Sequence, residues 1–299
     1  MRVTKIILVI VAMYFSGCAS FIAHQFTRPI ENAEMYNMQI NDLNICYYEV
    51  GDKKKPPLVF LHGILAFTEA YKRIILELSE QYFIIGIDLP GHGRSSISNR
   101  RLTHKEIGDY IVQVTAQLDI DKFYVVGHSA GGVIALSLGK YFPDNIIKIA
   151  TIASLYNYDG LSFENKYYTF LTEDGFKDHS GKRKDLIFNI FEIAHGKLGE
   201  KDKFDLTIDY MEEYGRMIYP SFSDSDLQNI ETPVIVIIAE KDEIINVAHG
   251  ERMAKSVLNG KSLIISNATH ASIVRSNNNV KKVCHNIFAF FSVSNPDKI

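Results

Sequence analysis

The sequence predicts an α/β protein: a mostly parallel central sheet with helices on both faces, plus a helical insertion. Three observations carry this. Short β-branched runs alternate with helix-period stretches along most of the chain, the rhythm of a parallel sheet with crossover helices. Runs such as "PLVFLHG" and "PVIVIIAEKD" are apolar almost throughout, as strands covered on both faces are. The rhythm then stops over 156–228, where aromatic residues sit among charged helix-like stretches, and resumes at Pro233.

Each element has its own warrant. Residues 38–50 read as a hairpin about Asn41-Asp42. A buried strand over 57–63 is followed by a helix over 70–81, then by a strand and glycine-rich loop over 82–95. Thr103 and Glu106 have capping-box spacing, with Ile107, Ile111, Val114 and Leu118 at helical intervals behind them. A strand over 122–127, a helix over 130–142 and a strand over 146–154 follow. After the insertion come a strand over 233–242, a helix over 248–258, a strand over 262–270 and a last amphipathic helix, Asn279 to Val293.

Composition narrows the partners. The 299 residues are 46% hydrophobic with a formal charge of -3, enough to bury one large core with an insertion. No long basic run is present, which argues against a nucleic-acid partner. The ten histidines and three cysteines show no metal-ligand spacing, so no metal is expected. Cys46 lies in a strand-like run and Cys284 on an apolar helix face, and two buried thiols are expected there in preference to a disulfide.

The amino terminus carries an export pattern. Arg2 and Lys5 precede an apolar run, Ile6 to Phe15, and small residues lead to Cys18. "FSGC" resembles the lipobox of bacterial lipoproteins, with Phe15 in place of the usual aliphatic residue; the resemblance implies lipid on Cys18. The 18 mostly apolar residues Ile6 to Ala23 also approach the length of an uncleaved membrane anchor. Either reading places the protein in the cell envelope, tethered to a membrane. The expected organisation is a signal segment over 1–18, a linker over 19–35, a core over 36–155 and 229–293, and a helical cap over 156–228.

Gly127-His128-Ser129-Ala130-Gly131 is a G-x-S-x-G pentapeptide between a predicted strand and a predicted helix, the setting of a nucleophile elbow. A serine nucleophile needs a base, and the base an orienting acid. His270 follows the strand residues 262–269, and Asp242 lies just past the strand residues 233–240, with Glu240 and Glu243 as competitors. Two main-chain N–H groups must stabilise the oxyanion: Ala130 after the nucleophile, and Ile64 after His62-Gly63, with Leu65 the near alternative.

Together these motifs resemble the α/β-hydrolase superfamily, in the branch with "HG" after the third strand and "DxxGxGxS" after the fourth, here Asp88 to Ser95. The resemblance covers about residues 36–293. It implies a structural role for Asp88 to Ser95 and assigns Asp242 through the "GxxD" position. Ala239 and Thr269 stand where glycine is common. The implied activity is that of a cofactor-free serine hydrolase cleaving a carboxylic ester through an acyl-enzyme. Thioesterase, carbon-carbon bond hydrolase and aminopeptidase activities on the same fold are alternatives, as is a non-catalytic envelope binding protein. The serine nucleophile argues against dehalogenase and epoxide hydrolase branches, and the lack of tryptophan against the haloperoxidase branch. The aromatic insertion points to a small-molecule substrate with an apolar acyl or aryl group.

Overall fold

The computed structural model describes residues 20–162, 186–198, 203–213 and 222–293. Its centre is an eight-stranded sheet ordered β1-β2-β4-β3-β5-β6-β7-β8. These strands are β1 Ala33–Ile40, β2 Leu43–Val50, β3 Pro57–Leu61, β4 Phe83–Ile87, β5 Phe123–His128, β6 Ile146–Ile152, β7 Val234–Ala239 and β8 Gly260–Ile265. The β1–β2 hairpin pairs antiparallel to β4 through β2, and every strand from β4 to β8 is parallel to its neighbour.

Strand alternation sorts side chains into two cores. Leu58 and Phe60 of β3 and Val126 of β5 enter one core, with Ile74, Ile75, Val283 and Ile287 from helices α2 (Lys72–Ser79) and α10 (Asn277–Ser292). Val59, Leu61 and Val125 enter the other, with residues of α3 (His104–Gln117), α4 (Ala130–Tyr141) and α8 (Val247–Ser256). Both faces of the sheet's inner strands are therefore dry, which is why β3 to β7 lack a polar alternation, whereas the edge strands β1 and β8 are largely exposed. Thr103 caps α3 with the reciprocal Glu106 bonds expected of a capping box.

Within 156–228, the described residues form α5 (Leu186–Lys197), α6 (Lys203–Glu213) and α7 (Asp224–Gln228), after a 3-10 turn over Tyr158–Gly160. The aromatics Phe163, Tyr167, Tyr168 and Phe170 of that stretch, and Tyr214, lie outside the described residues, as do residues 1–19 with Cys18. Cys46 and Cys284 are both free and buried, and burial pushes both thiols up.

One expectation is corrected. The stretch 19–35 is not a bare linker: 20–26 form helix α1, and β1 already begins at Ala33. Ala23 is fully buried, and Ile22 and Phe26 pack against the same core as β3. An apolar run that reads as a leader in sequence here spends its last turns covering the body.

Candidate active site

The loops that follow the carboxyl ends of β3, β5, β7 and β8 meet at one edge of the sheet, the usual place for chemistry in parallel α/β folds. Ser129 sits between β5 and α4 with φ 52° and ψ -120°, a left-handed conformation that a side-chain-bearing residue adopts only under constraint. The constraint is close packing. A Cβ on Gly131 would lie 2.2 Å from the Leu61 carbonyl oxygen, and one on Gly127 would lie 2.2 Å from the Gly131 oxygen. The Ser129 carbonyl accepts hydrogen bonds from Gly132 N and Ser154 Oγ.

His270 Nδ1 lies 3.0 and 3.1 Å from the two carboxylate oxygens of Asp242. Asp242 Oδ1 also accepts the backbone N–H groups of Ile244 and Ile245, both at 2.9 Å. The Asp242 carboxylate is 1% exposed. With Nδ1–H donated to this fixed carboxylate, His270 Nε2 carries the lone pair. The competing acids have other tasks: Glu243 accepts the His270 backbone N–H and Glu240 that of Asn267. Among the described residues, the Ser129 hydroxyl makes no hydrogen bond, so Ser129 and the Asp242–His270 pair are brought together through the loops that hold them.

That link runs through two residues the sequence reading passed over. His128 Nε2 lies 3.0 Å from the His270 carbonyl oxygen, and His128 Nδ1 lies 2.9 Å from the Tyr71 hydroxyl. A carbonyl only accepts, so Nε2 bears the proton. Burial holds the His128 ring well below the usual histidine range, so Nδ1 is a lone pair and Tyr71 donates to it. Tyr71 in turn accepts the Gly63 N–H at 3.0 Å. A one-way chain of hydrogen bonds therefore joins the loop after β3, the elbow and the loop carrying His270. Proximity of His128 to Ser129 in sequence was a signal; the pairing with Tyr71 had none.

Gly63 packs directly on the elbow, since a Cβ there would lie 3.3 Å from Ser129 Cβ. The backbone N–H groups of Ile64, Leu65 and Ala130 have no hydrogen-bond partner among the described residues. Ala130 is the first residue of α4, where the helix dipole favours negative charge. Leu65 has φ 58°, and its carbonyl accepts from His195 Nε2 of α5 at 3.2 Å. Thr207 Oγ1 of α6 donates to the Gly91 carbonyl at 2.6 Å. The 156–228 helices thus clasp both loops beside Ser129.

Asp88 to Ser95 is a structural knot. Asp88 accepts from Thr68 N and Arg94 N, Ser95 Oγ donates to the Asp88 carbonyl, and His62 Nε2 accepts from Leu89 N. Burial pushes His62 down to about 4 and His92 down to about 3. Both folded values lie below the unfolded one, so stability is complete above about pH 6.5. It should fall on acidification towards pH 4 by roughly 1.4 kcal/mol per pH unit for each histidine. Urea midpoints at pH 7 and pH 5 check this; equal midpoints would contradict it.

Comparison with known proteins agrees with this architecture. The sequence model of the alpha/beta hydrolase fold matches residues 56–179. A carboxylesterase structure from Bacillus subtilis superimposes with a TM-score of 0.68 at 17% identity, covering 94% of this chain and 98% of that one. The chain has the α/β-hydrolase fold. Among curated relatives, this α/β-hydrolase-fold chain is 21% identical to a monoacylglycerol lipase of Rattus norvegicus, over 86% of this chain and 82% of that protein. It is 26% identical to the dihydrolipoyllysine-residue acetyltransferase component of the acetoin cleaving system of Pseudomonas putida, over 46% of this chain. The chain spans only 37% of that component's length.

Proposed function

We propose that the protein is a serine hydrolase of carboxylic esters with an apolar acyl or aryl group, tethered to a membrane in the cell envelope by lipid on Cys18. The observation that carries the reaction is the buried Asp242–His270 pair hydrogen-bonded through His128 to the strained Ser129 elbow. In this reading His270 Nε2 takes the Ser129 proton as Oγ attacks the ester carbonyl. Asp242 holds the ring and stabilises the imidazolium. The N–H groups of Ile64 and Ala130 receive the oxyanion. Collapse of the tetrahedral intermediate expels the alcohol, protonated by His270, and water then releases the acid from the acyl-enzyme. The chemistry needs no cofactor. The carboxylesterase and the lipase among the similar proteins support an ester substrate.

The test is turnover of p-nitrophenyl butyrate and octanoate by the full chain in detergent, with peptide mapping of a fluorophosphonate label. Turnover with the label on Ser129 is expected. Label on another residue, or no turnover of either ester, would overturn the reading.

Tyr71→Phe should lower kcat about tenfold at constant KM, because it leaves the Gly63 N–H and His128 Nδ1 unpaired, a loss of roughly 1–3 kcal/mol. The rate is read per fluorophosphonate-titrated site. A change confined to the fraction of active sites would assign Tyr71 to folding alone.

A further inference from the structure

Helix α1 is held on the body at four points. Ala23 is fully buried, the Phe26 ring lies 6.0 Å from Phe191 of α5, and the Arg275 guanidinium sits 4.1 Å over Phe26. The Lys72 ammonium donates to the Gln25 carbonyl. Arg275 closes α9 (Ser272–Arg275), two residues beyond His270 at its start. The amino-terminal segment is therefore seated beside the proposed catalytic loops and the 156–228 helices.

Its position bears on the two membrane attachments open in the sequence. Ala23 is committed to the protein core, and α1 begins by Ser20. A bilayer span would have to end before it, leaving Ile6 to Ala19, 14 residues. As a helix these reach about 21 Å, short of a hydrocarbon core of about 30 Å. Lipid on Cys18 meets no such conflict, and it would lie within about 7 Å of Ser20 along the chain. Such a short connection makes α1 the mount that holds the body near the bilayer, with its tilt left to surface contacts.

The surface around this mount has the chemistry of a bilayer contact. Phe21 is 64% exposed. Arg28 and Arg73 are exposed and have no carboxylate partner among the described residues, and Lys72 lies between them. Burial, then the positive Arg28, holds Lys72 below its ordinary range. Of the nearby acids, Glu69 is engaged by Arg94 at 3.2 Å, and Glu31 and Glu77, close in sequence to Arg28 and Arg73, form no ion pair with them among the described residues. An exposed aromatic among cations that no carboxylate neutralises, next to a lipid attachment, fits an anionic phospholipid surface.

We infer that Phe21, Arg28, Lys72 and Arg73 form a docking face for an anionic phospholipid bilayer, which fixes the body with its catalytic edge beside the membrane and makes membrane-resident acyl esters its substrates. This rests on the proposals of Cys18 lipidation and serine esterase activity.

The experiment uses the full chain reconstituted into vesicles of phosphatidylethanolamine and phosphatidylglycerol, or of phosphatidylcholine alone. An environment-sensitive fluorophore is placed at Asn277→Cys, exposed two residues beyond Arg275, or at Lys122→Cys. Lys122 lines a cavity of about 380 Å³ with Pro57 and Phe83, at the opposite ends of the strands. Cys46 and Cys284 are buried and stay unlabelled. Quenching by spin-labelled phospholipid should be at least about threefold greater at position 277 than at 122, through contact and charge that fade within a Debye length. The contrast should vanish on phosphatidylcholine and in Arg28→Glu/Arg73→Glu, whose turnover of soluble esters should equal that of the wild type. Equal quenching at both positions on anionic vesicles, or a contrast that survives in phosphatidylcholine, overturns the docking face. An amino-terminal peptide with unmodified Cys18 overturns the lipid attachment instead. The fluorophosphonate map of Ser129 reports on the esterase reading independently of either.

Discussion

Ser129→Ala is expected to reduce kcat for ester hydrolysis by about 10⁴–10⁶-fold, the range seen when a triad nucleophile is removed. The residual rate would come from the oxyanion donors and binding alone. Stability should change little or rise, because alanine removes a hydroxyl that has no hydrogen-bond partner among the described residues while the strained φ of 52° stays. His270→Ala should lose nearly as much, and the double variant no more than the single ones, since the residues act as one unit. Steady-state kinetics with thermal melts separate chemistry from folding. A variant with near wild-type kcat would assign Ser129 to the turn alone.

Gly131→Ala should be severely damaging for a single added methyl. Its Cβ would lie 2.2 Å from the Leu61 oxygen and 2.6 Å from the His62 oxygen. Both are main-chain atoms at the end of β3, so no side-chain rotation relieves the overlap. Either α4 moves off the sheet or the loop carrying Ile64 is displaced. The expected outcome is loss of soluble protein, or a stability deficit above about 4 kcal/mol, the level at which a point mutation signals a specific steric mechanism. Gly196→Ala on α5, where an added Cβ meets nothing within 4 Å, is the control and should be nearly neutral. Comparable expression and urea midpoints for the two variants would contradict the packing account.

Much of the fold was legible because each signal was local. The β5–Ser129–α4 turn requires small residues at fixed offsets, and the Thr103–Glu106 box is a four-residue motif. The strands from β3 to β7 announce themselves by burial on both faces. Legibility ended where distant segments meet. That β2 lies beside β4, with β3 one place further in, is a matter of pairing between residues as distant as Tyr47 and Ile87. The docking of α1 was hidden because an apolar run looks the same whether it enters a membrane or a protein core. Asp242, Glu240 and Glu243 are equivalent as acids in sequence. They separate only when β7 ends and turns one carboxylate towards His270 and the others towards main-chain N–H groups. Tyr71 and His128 are 57 residues apart, and nothing in either neighbourhood announces the other.

The clasp made by His195 and Thr207 ends on the carbonyls of Leu65 and Gly91, which every residue type possesses. Substitutions in the core loops therefore leave these two anchor points chemically intact. On the other side of the clasp, the insert keeps one buried donor on each helix, beside Ile190, Phe191, Phe204 and Ile208, which join the core of the body. The polar part of the junction is thus indifferent to which side chains the core loops carry, so those loops can change residues without releasing the insert.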